Sequence, residues 1–487
     1  MLLCANLQLD IFIKSRCTKN KIKKNSNTIN VEIFFIKALQ LILCFALLVI
    51  LHEGGHFLFA KIFKVRVEKF CLFFDPWFTL FKFKPRKSDT TYAMGWLPLG
   101  GYVKISGMID ESMDKEQMKQ PVKPWEFRAK PAWQRLFIMI GGVLVNFITA
   151  LVIYAAVLFT WGETYIPIRN MTYGFKFNEQ AKQMGFRDGD IVLGTDTKSF
   201  RDFNGNVFRD LSEAHSATVL RAGKQVTIPM SGDLNMLDMI KQQPRFIEML
   251  IPSRVDSVIP NSPAAQAGIQ RGDQIVGFNG KSFTTVNEFQ VIRGSLDDVL
   301  AASPTHADSL RLRNVTLLVR RAATAQIDTL KMQLAPDFKL GIAWYNPTLS
   351  DYKTVTRHYG FFESIPAGVT HGWNVLVGYV DDLKYLFTAD GAKSVGSFGA
   401  IGNLFPATWD WCRFWELTAF ISLMLAFMNL LPIPALDGGH VFFLLVEVIT
   451  RRKPSDKFME RAQTIGMSIL LLLMAFAIFN DCRNFLF

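Results

Sequence analysis

Four stretches of this chain, residues 33–63, 133–161, 414–449 and 464–479, stay apolar over a length that can cross a bilayer. Backbone inside lipid must satisfy its own hydrogen bonds, so such stretches fold as helices unless they close into a barrel. Half of the 487 residues are hydrophobic, which fits a membrane protein better than a soluble one. The expected frame is therefore a polytopic α-helical membrane protein with about four transmembrane helices. The net charge is +12. Its lysines and arginines gather beside the apolar runs, as positive-inside loops require, and no basic recognition helix or stacking module points to nucleic acid. The six cysteines form no CxxC pair, and none lies between Cys71 and Cys412. A disulfide framework or a cysteine zinc site in the polar middle of the chain is thereby excluded.

Two regions lie between the spans. Residues 64–132 carry aromatic-rich alternating pieces, Val67 to Phe74 and Gly100 to Ile105, that read as short strands with glycine turns. Residues 162–413 are mostly polar and contain an internal repeat. Gly185, Gly189, Asp190, Gly194, Lys198, Ser199, Phe200 and Asn204 recur as Gly268, Gly272, Asp273, Gly277, Lys281, Ser282, Phe283 and Asn287 at one offset of 83. A constant offset over so many positions means tandem copies of one domain. The second copy, with Ser262-Pro-Ala-Ala-Gln-Ala-Gly268, a Gly-Asp pair and Asn279-Gly280, resembles the PDZ domains of bacterial envelope proteases. That resemblance implies an extended peptide added to a sheet edge. The first copy diverges further. Residues 361–387 mix Trp373, Tyr379 and Tyr385 with aliphatic and charged residues, and suit either an interfacial amphipathic helix or a packed core helix.

Short basic loops set the orientation. Arg451, Arg452, Lys453, Lys457 and Arg461 place the loop before the last span in the cytoplasm, and the basic 64–131 loop falls on the same side. The repeats then face the opposite, periplasmic side. The basic stretch 14–24 disagrees, since four spans would put it outside. The expectation is that the natural start lies near Val31 and that residues 1–31 are a start-site artefact.

His52-Glu53-Gly54-Gly55-His56 is an H-E-x-x-H motif. On a helix, residues four apart share a face, so both imidazoles can reach one zinc ion while Glu53 serves as general base. The motif alone is weak, but its setting is not. Residues 39–51 and 57–60 are apolar, and a charged carboxylate at mid-bilayer costs about 2–3 kcal/mol or more. A zinc protease site needs a third protein ligand and an open position. The segment Asn429-Leu-Leu-Pro432-Ile-Pro434-Ala-Leu-Asp437-Gly438-Gly439-His440 interrupts the third span. Its prolines cannot extend a helix, and its glycines are expected to free the backbone around Asp437. Asp437 is the favoured third ligand and His440 the rival. His215, His306, His358 and His371 lie in or beside the polar middle of the chain.

H-E-x-x-H in a first span, tandem PDZ-like copies, and N-x-x-P-x-P-x-L-D-G in a later span together resemble the site-2 protease family of intramembrane zinc metalloproteases. The resemblance runs from about Val31 to the C-terminus. It implies Zn2+ held by His52, His56 and Asp437, Glu53 as catalytic base, and Asn429 in contact with the substrate backbone. Lys130-Pro131-Ala-Trp-Gln134-Arg135 and Gly141-Gly142-Val-Leu-Val-Asn146 resemble the family's entry to the second span, where paired glycines more often serve close helix packing. Met94-Gly95-Trp-Leu-Pro-Leu-Gly100-Gly101-Tyr-Val-Lys resembles its membrane-associated β-hairpin, which implies substrate pairing at Gly100 and Gly101.

The expected division is an N-terminal extension 1–31, a first transmembrane helix 32–63 and a cytoplasmic-side loop with β-hairpin 64–132. A second transmembrane helix 133–161, PDZ-like α/β domains 162–250 and 251–350, and an amphipathic linker 351–413 follow. A broken third span 414–449, a basic loop 450–463 and a fourth helix 464–487 complete it. The implied protein is a multi-pass enzyme of the inner membrane that cuts single-span membrane proteins, anti-sigma factors after a first cut and remnant signal peptides among them. Its oligomeric state is open. A non-enzymatic membrane-anchored PDZ scaffold is the competing class, but it has no use for His52, Glu53, His56 and Asp437 in apolar segments. A metal transporter would place ligands in several spans rather than two.

Overall fold

A computed structural model describes residues 26–108, 120–242, 244–302, 311–335, 339–384, 398–453 and 455–486. The chain forms two compact units, one from the segments up to Glu163 and from Arg357 onward, the other from Thr164–Thr356.

The first unit is built on helices. Helix α1 spans Ser26–Ile62 and α2 spans Ala132–Trp161. Helix α3 spans Phe361–Asp382, α4 Phe398–Leu404, α5 Trp411–Leu430, α6 Asp437–Thr450 and α7 Asp456–Leu486. Among the described residues, four helices are long and apolar enough to cross a membrane: Val31–Ile62, Ala132–Trp161, Trp411–Leu430 and Lys457–Asp481. Their outward faces carry Phe34, Leu39, Ile50, Leu58, Val152, Leu472 and Phe479 exposed, as a helix solvated by lipid should. Helix α2 begins after Pro131, whose carbonyl receives the Gln134 and Arg135 amides, and ends at Gly162 with φ 70°. Helices α1 and α2 touch backbone to backbone. A Cβ on Gly55 would lie 2.2 Å from the Gly141 carbonyl oxygen, so close packing is what Gly141 contributes.

Helix α3 is packed on one face and apolar on the other. Gly368 and Gly372 lie against Ala155 and Leu151 of α2, and the His371 ring meets Tyr154 edge-on. Ile365, Val369, Trp373 and Val377 face outward. The helix is described up to Asp382, and residues 385–387 lie outside the described residues. The last helix starts at Asp456, eight residues before the expected 464, so Lys457 and Arg461 sit on a helix rather than in a loop. Residues 1–25 lie outside the described residues, and helix already runs through Val31.

Between α1 and α2, β1 (Val67–Phe74), β2 (Phe81–Phe83), β3 (Thr91–Met94) and β4 (Leu97–Ile105) form one sheet in the order β2-β3-β1-β4. The antiparallel neighbours β2 and β3 form a hairpin, but the 94–104 stretch does not. β3 and β4 are adjacent in sequence but do not pair; β1 lies between them, parallel to β3 and antiparallel to β4. Gly95 makes the crossing possible. Its N–H bonds the Leu72 carbonyl, and a Cβ there would sit 2.1 Å from the Phe74 carbonyl oxygen. β4 is left as a free edge, with Gly101 against Val49 of α1. Val67, Val103 and Ile105 join Ala60, Ile138, Val441 and Leu444 in a core that ties sheet, α1, α2 and α6 together.

The second unit contains the repeat. Its first half runs Phe175–Phe177, helix Glu179–Met184, Ile191–Thr195, helix Asn206–Ser212, Ser216–Arg221, Lys224–Pro229, then a helix Met236–Lys241 that the second half lacks, and Ile247–Met249. Its second half runs Val255–Val258, helix Pro263–Gln266, Gln274–Phe278, a two-residue strand Lys281–Ser282, helix Val286–Ala302, Asn314–Arg320, Ile327–Gln333, Ile342–Trp344. In each half the first strand pairs antiparallel with the last. Each also holds the same ionic clasp. Arg221 donates to Asp190 and to the Gly185 carbonyl; Arg321 donates to Asp273 and to the Gly268 carbonyl. Gly189 and Gly272, before the two aspartates, share φ 91°. The arginines escaped the sequence comparison because the helix between them is longer in the second half, widening the offset from 83 to 100. Part of the insert at 297–309 falls outside the described residues.

Candidate metal centre

Helix α1 carries His52, Glu53 and His56 within one turn and a half, inside its apolar run. The i, i+4 spacing puts both imidazoles on one side, rings edge to face with centroids 4.9 Å apart. Asp437 comes from the break between α5 and α6. Helix α5 stops at Leu430, residues 431–436 run without helical bonds, and Asp437 opens α6. Pro432 and Pro434 stop α5 from continuing, and Ala435 turns the chain at φ 83°, a costly conformation for a residue with a Cβ.

The glycines after Asp437 have a different role from the expected one. Gly438 and Gly439 are helical, and what they supply is room. A Cβ on Gly438 would lie 2.1 Å from the Leu431 carbonyl oxygen, and one on Gly439 would lie 2.7 Å from that of Ile433. Gly466 of α7 does the same from the other side, where a Cβ would meet the Pro434 carbonyl oxygen at 1.8 Å. The broken segment is thus gripped by α6 and α7, and Asp437 is held rather than free. The sequence offered no sign that Gly466 belonged to this site.

The two segments converge. Asp437 Oδ2 lies 3.0 Å from His52 Nε2 and 3.3 Å from His56 Nε2, and the two Nε2 atoms are 3.3 Å apart. Among the described residues these three side chains form the group able to hold a metal ion, with donor atoms within 4.8 Å of one another. His440, His215, His358 and His371 are not part of it, and His306 lies outside the described residues. Asp437 Oδ2 is buried and has no hydrogen-bond donor of its own; only the imidazole nitrogens face it. Two imidazole lone pairs and a carboxylate aimed at one point repel each other unless a cation sits between them. Two nitrogens and one oxygen are a donor set that suits zinc.

Around this point, His56 Nδ1 is 2.8 Å from the Ile138 carbonyl oxygen, His52 Nδ1 is 3.3 Å from the Asn146 amide, and the Asn429 amide nitrogen is 3.5 Å from His52 Nε2. Glu53 lies within electrostatic reach of both histidines, Asp437 and the Val103 backbone N–H. Val103 brings β4 beside the site. Gly100 and Gly101 are one strand turn away, where Gly100 lies under the Phe74 ring and Gly101 against Cys71 and Val49. Farther along, Tyr102 and Lys69 brace Asp75. Burial raises the Asp75 carboxyl, but hydrogen bonds from Lys69, Thr79 and Tyr102 outweigh it and hold it below the ordinary carboxylate range.

Peptidase family M50 matches over residues 40–473. A Yersinia pestis protein named Protease RseP is 28% identical over 475 residues, covering 90% of this chain and 97% of its own. The Escherichia coli protein named Regulator of sigma-E protease RseP is 28% identical over 469 residues with the same coverage. A Haemophilus influenzae protein named Regulator of sigma E protease is 27% identical over 477 residues, again with that coverage. A family match over most of the length, on a chain whose apolar helices bring two histidines and an aspartate to one point, makes it a membrane-embedded zinc metalloprotease that belongs to peptidase family M50.

Proposed function

We propose that this protein cuts single-span membrane proteins within the bilayer, with His52, His56 and Asp437 as metal ligands and Glu53 as general base. The observation that carries the reading is the meeting of three ligand atoms from two separated apolar segments, with a second carboxylate beside them. His52, His56 and Asp437 would hold a zinc ion that would supply Lewis-acid polarisation of the scissile carbonyl and acidify water. Glu53 takes a proton from the water that attacks the carbonyl carbon. As the C–N bond breaks, it passes that proton to the leaving amine. Asn429, whose amide nitrogen lies 3.5 Å from His52 Nε2, would donate an N–H to the substrate backbone or to the developing oxyanion.

A helical substrate has no accessible peptide bond until it unwinds. The free edge of β4, from Gly100 and Gly101 to Val103, offers backbone partners for an extended strand. Such a strand would run past Glu53, which lies beside Val103.

The 162–250 and 251–350 copies act as PDZ-like domains on the periplasmic side of the inner membrane, and the active site lies toward the cytoplasm. The shared element order and matching ionic clasps support the first statement, and the basic residues 451–461 support the orientation. The PDZ-like pair excludes untrimmed substrates or reads new C-termini. Relatives named for regulation of sigma-E make anti-sigma factors, already cut once outside, and remnant signal peptides the expected substrates in an envelope-stress response. The test is co-expression with a model single-span substrate. The wild type should cleave it and Glu53→Gln should not, with zinc retained; equal cleavage by both would refute the mechanism.

A further inference from the structure

Helix α2 presents Ile138, Gly142 and Asn146 at i, i+4 and i+8, one continuous stripe, to the two histidines of α1. The three positions do different things. The Ile138 carbonyl lies 2.8 Å from His56 Nδ1. Gly142 leaves the imidazoles their space, since a Cβ there would lie 2.4 Å from His56 Nε2 and 2.7 Å from His52 Cε1. Asn146 is 0% exposed, and its amide lies 3.3 Å from His52 Nδ1.

We propose that this stripe sets the tautomers of both metal-ligating histidines, with Asn146 the positioning residue for His52. The proposal rests on the ligand set given above and names what orients it. A neutral imidazole carries one N–H, so a lone pair on Nε2 requires the proton on Nδ1 and an acceptor facing it. For His56 that acceptor is a carbonyl, which can do nothing else. For His52 it is an amide with two ends. Nδ2 toward the ring goes with a proton on His52 Nε2; Oδ1 toward the ring goes with a proton on Nδ1 and a lone pair on Nε2. The second arrangement alone serves a metal ligand. It also gives Asn146 Oδ1 a donor, which that buried oxygen lacks when Nδ2 faces His52. The two ends of an amide are interchangeable by a half-turn of the side chain. The residue itself is pinned, with its backbone carbonyl accepting from Ser422 Oγ of α5 at 2.7 Å. A polar side chain this buried is costly unless used, and His52 is the partner it faces.

The test uses the full chain in detergent, stripped of metal and titrated with Zn2+ against a chelator of known affinity, so that the readout is zinc affinity and not activity. Asn146→Leu fills the same space without an acceptor and should weaken zinc binding about 10–100-fold. Asn146→Asp keeps an oxygen facing Nδ1 and should bind zinc as tightly as the wild type or more tightly. Apo-protein melting temperatures of the leucine variant and wild type should agree, which separates positioning from folding. Zinc affinity of Asn146→Leu within about twofold of wild type overturns the proposal. If the leucine variant does not fold, Asn146→Asp decides: wild-type affinity supports the role, and a tenfold or greater loss, about 1.4 kcal/mol, overturns it. His52→Ala and Asp437→Ala run in parallel. Zinc binding that survives both refutes the ligand set itself, whereas loss in both with no effect of Asn146→Leu refutes only the stripe.

Discussion

Asp437 and His440 lie three residues apart in one glycine-rich turn, and by donor chemistry either could have been the third ligand. Geometry separates them. Asp437 opens α6 and faces both Nε2 atoms, while His440 is outside the group of convergent ligand atoms. Asp437→Ala should therefore strip zinc from the purified protein, and His440→Ala should leave its zinc content unchanged. Metal analysis after dialysis against a weak chelator distinguishes the two; equal loss in both would make His440 a ligand. At this scale much was legible. His52, Glu53 and His56 could be read because helical spacing is fixed by covalent geometry. Asn146, Ile138 and Gly466 could not, since their importance depends on which faces of separate helices meet. Gly142 carries a further consequence. Gly142→Ala forces a methyl into the space of both imidazoles, so zinc affinity should fall at least about tenfold, a larger effect than the same change at Gly54, which has open space around it. Zinc titration of the two alanine variants checks the order.

Arg135 and Glu447 show what sequence reading misses at the level of elements. In the sequence Arg135 stands at the entry to the second span, with no partner in view. In the fold its guanidinium bonds Glu447 on α6, 312 residues away, and its Nε–H donates to the Lys130 carbonyl. Both side chains are mostly buried, at 10% and 14% exposed. This pair ties α6, the helix that begins with the metal ligand, to α2, the helix behind the histidines. Removing one partner of a buried pair strands the other charge, a loss of about 3–5 kcal/mol. Glu447→Ala should accordingly lower the melting temperature in detergent and lower proteolysis. The reversed pair, Arg135→Glu with Glu447→Arg, should recover part of both. A reversed pair no better than the single variant would mean that shape, not charge, matters at this contact. The sheet tells the same story. Alternation identified the strands of 67–74 and 97–105, but pairing order is non-local. A two-residue link between β3 and β4 reads as a hairpin until β1 is seen between them. Gly95, which allows that crossing, was visible only as a turn residue.

At the scale of the whole molecule, the two compact units differ in how their sequence speaks. The membrane unit was readable from apolar runs and spacing, because lipid permits few backbone solutions. The repeat unit was readable from self-similarity, which shows that two copies exist but not how they are joined. The join is ionic and local. Lys176, in the first strand of the first copy, is buried and bonds both Asp188 and Glu288 at 2.6 Å, and Glu288 sits in the second copy's helix. Glu288 also completes a capping box, accepting from the Thr285 amide while its own amide donates to Thr285 Oγ. Asn287 beside it binds the connecting chain through the Met249 carbonyl and the Ile251 amide. Burial raises the Glu288 carboxyl, but hydrogen bonds from Lys176 and from the Thr284 and Thr285 amides outweigh it and hold it below the ordinary range. A carboxyl lowered by folding stabilises the fold above its unfolded pKa, about 4.3, and loses that contribution as pH falls through the folded value. Glu288→Gln should therefore melt below the wild type at pH 7, and the gap should close as pH drops below about 4. Thermal unfolding of the full chain in detergent from pH 7 to 3.5 measures it. Because the side chain is about one-third exposed, the gap at pH 7 should be modest, about 1 kcal/mol. A gap that stays constant over that range would mean the glutamate acts only through its neutral hydrogen bonds, and the two copies would then be joined by packing and by Asn287 rather than by charge.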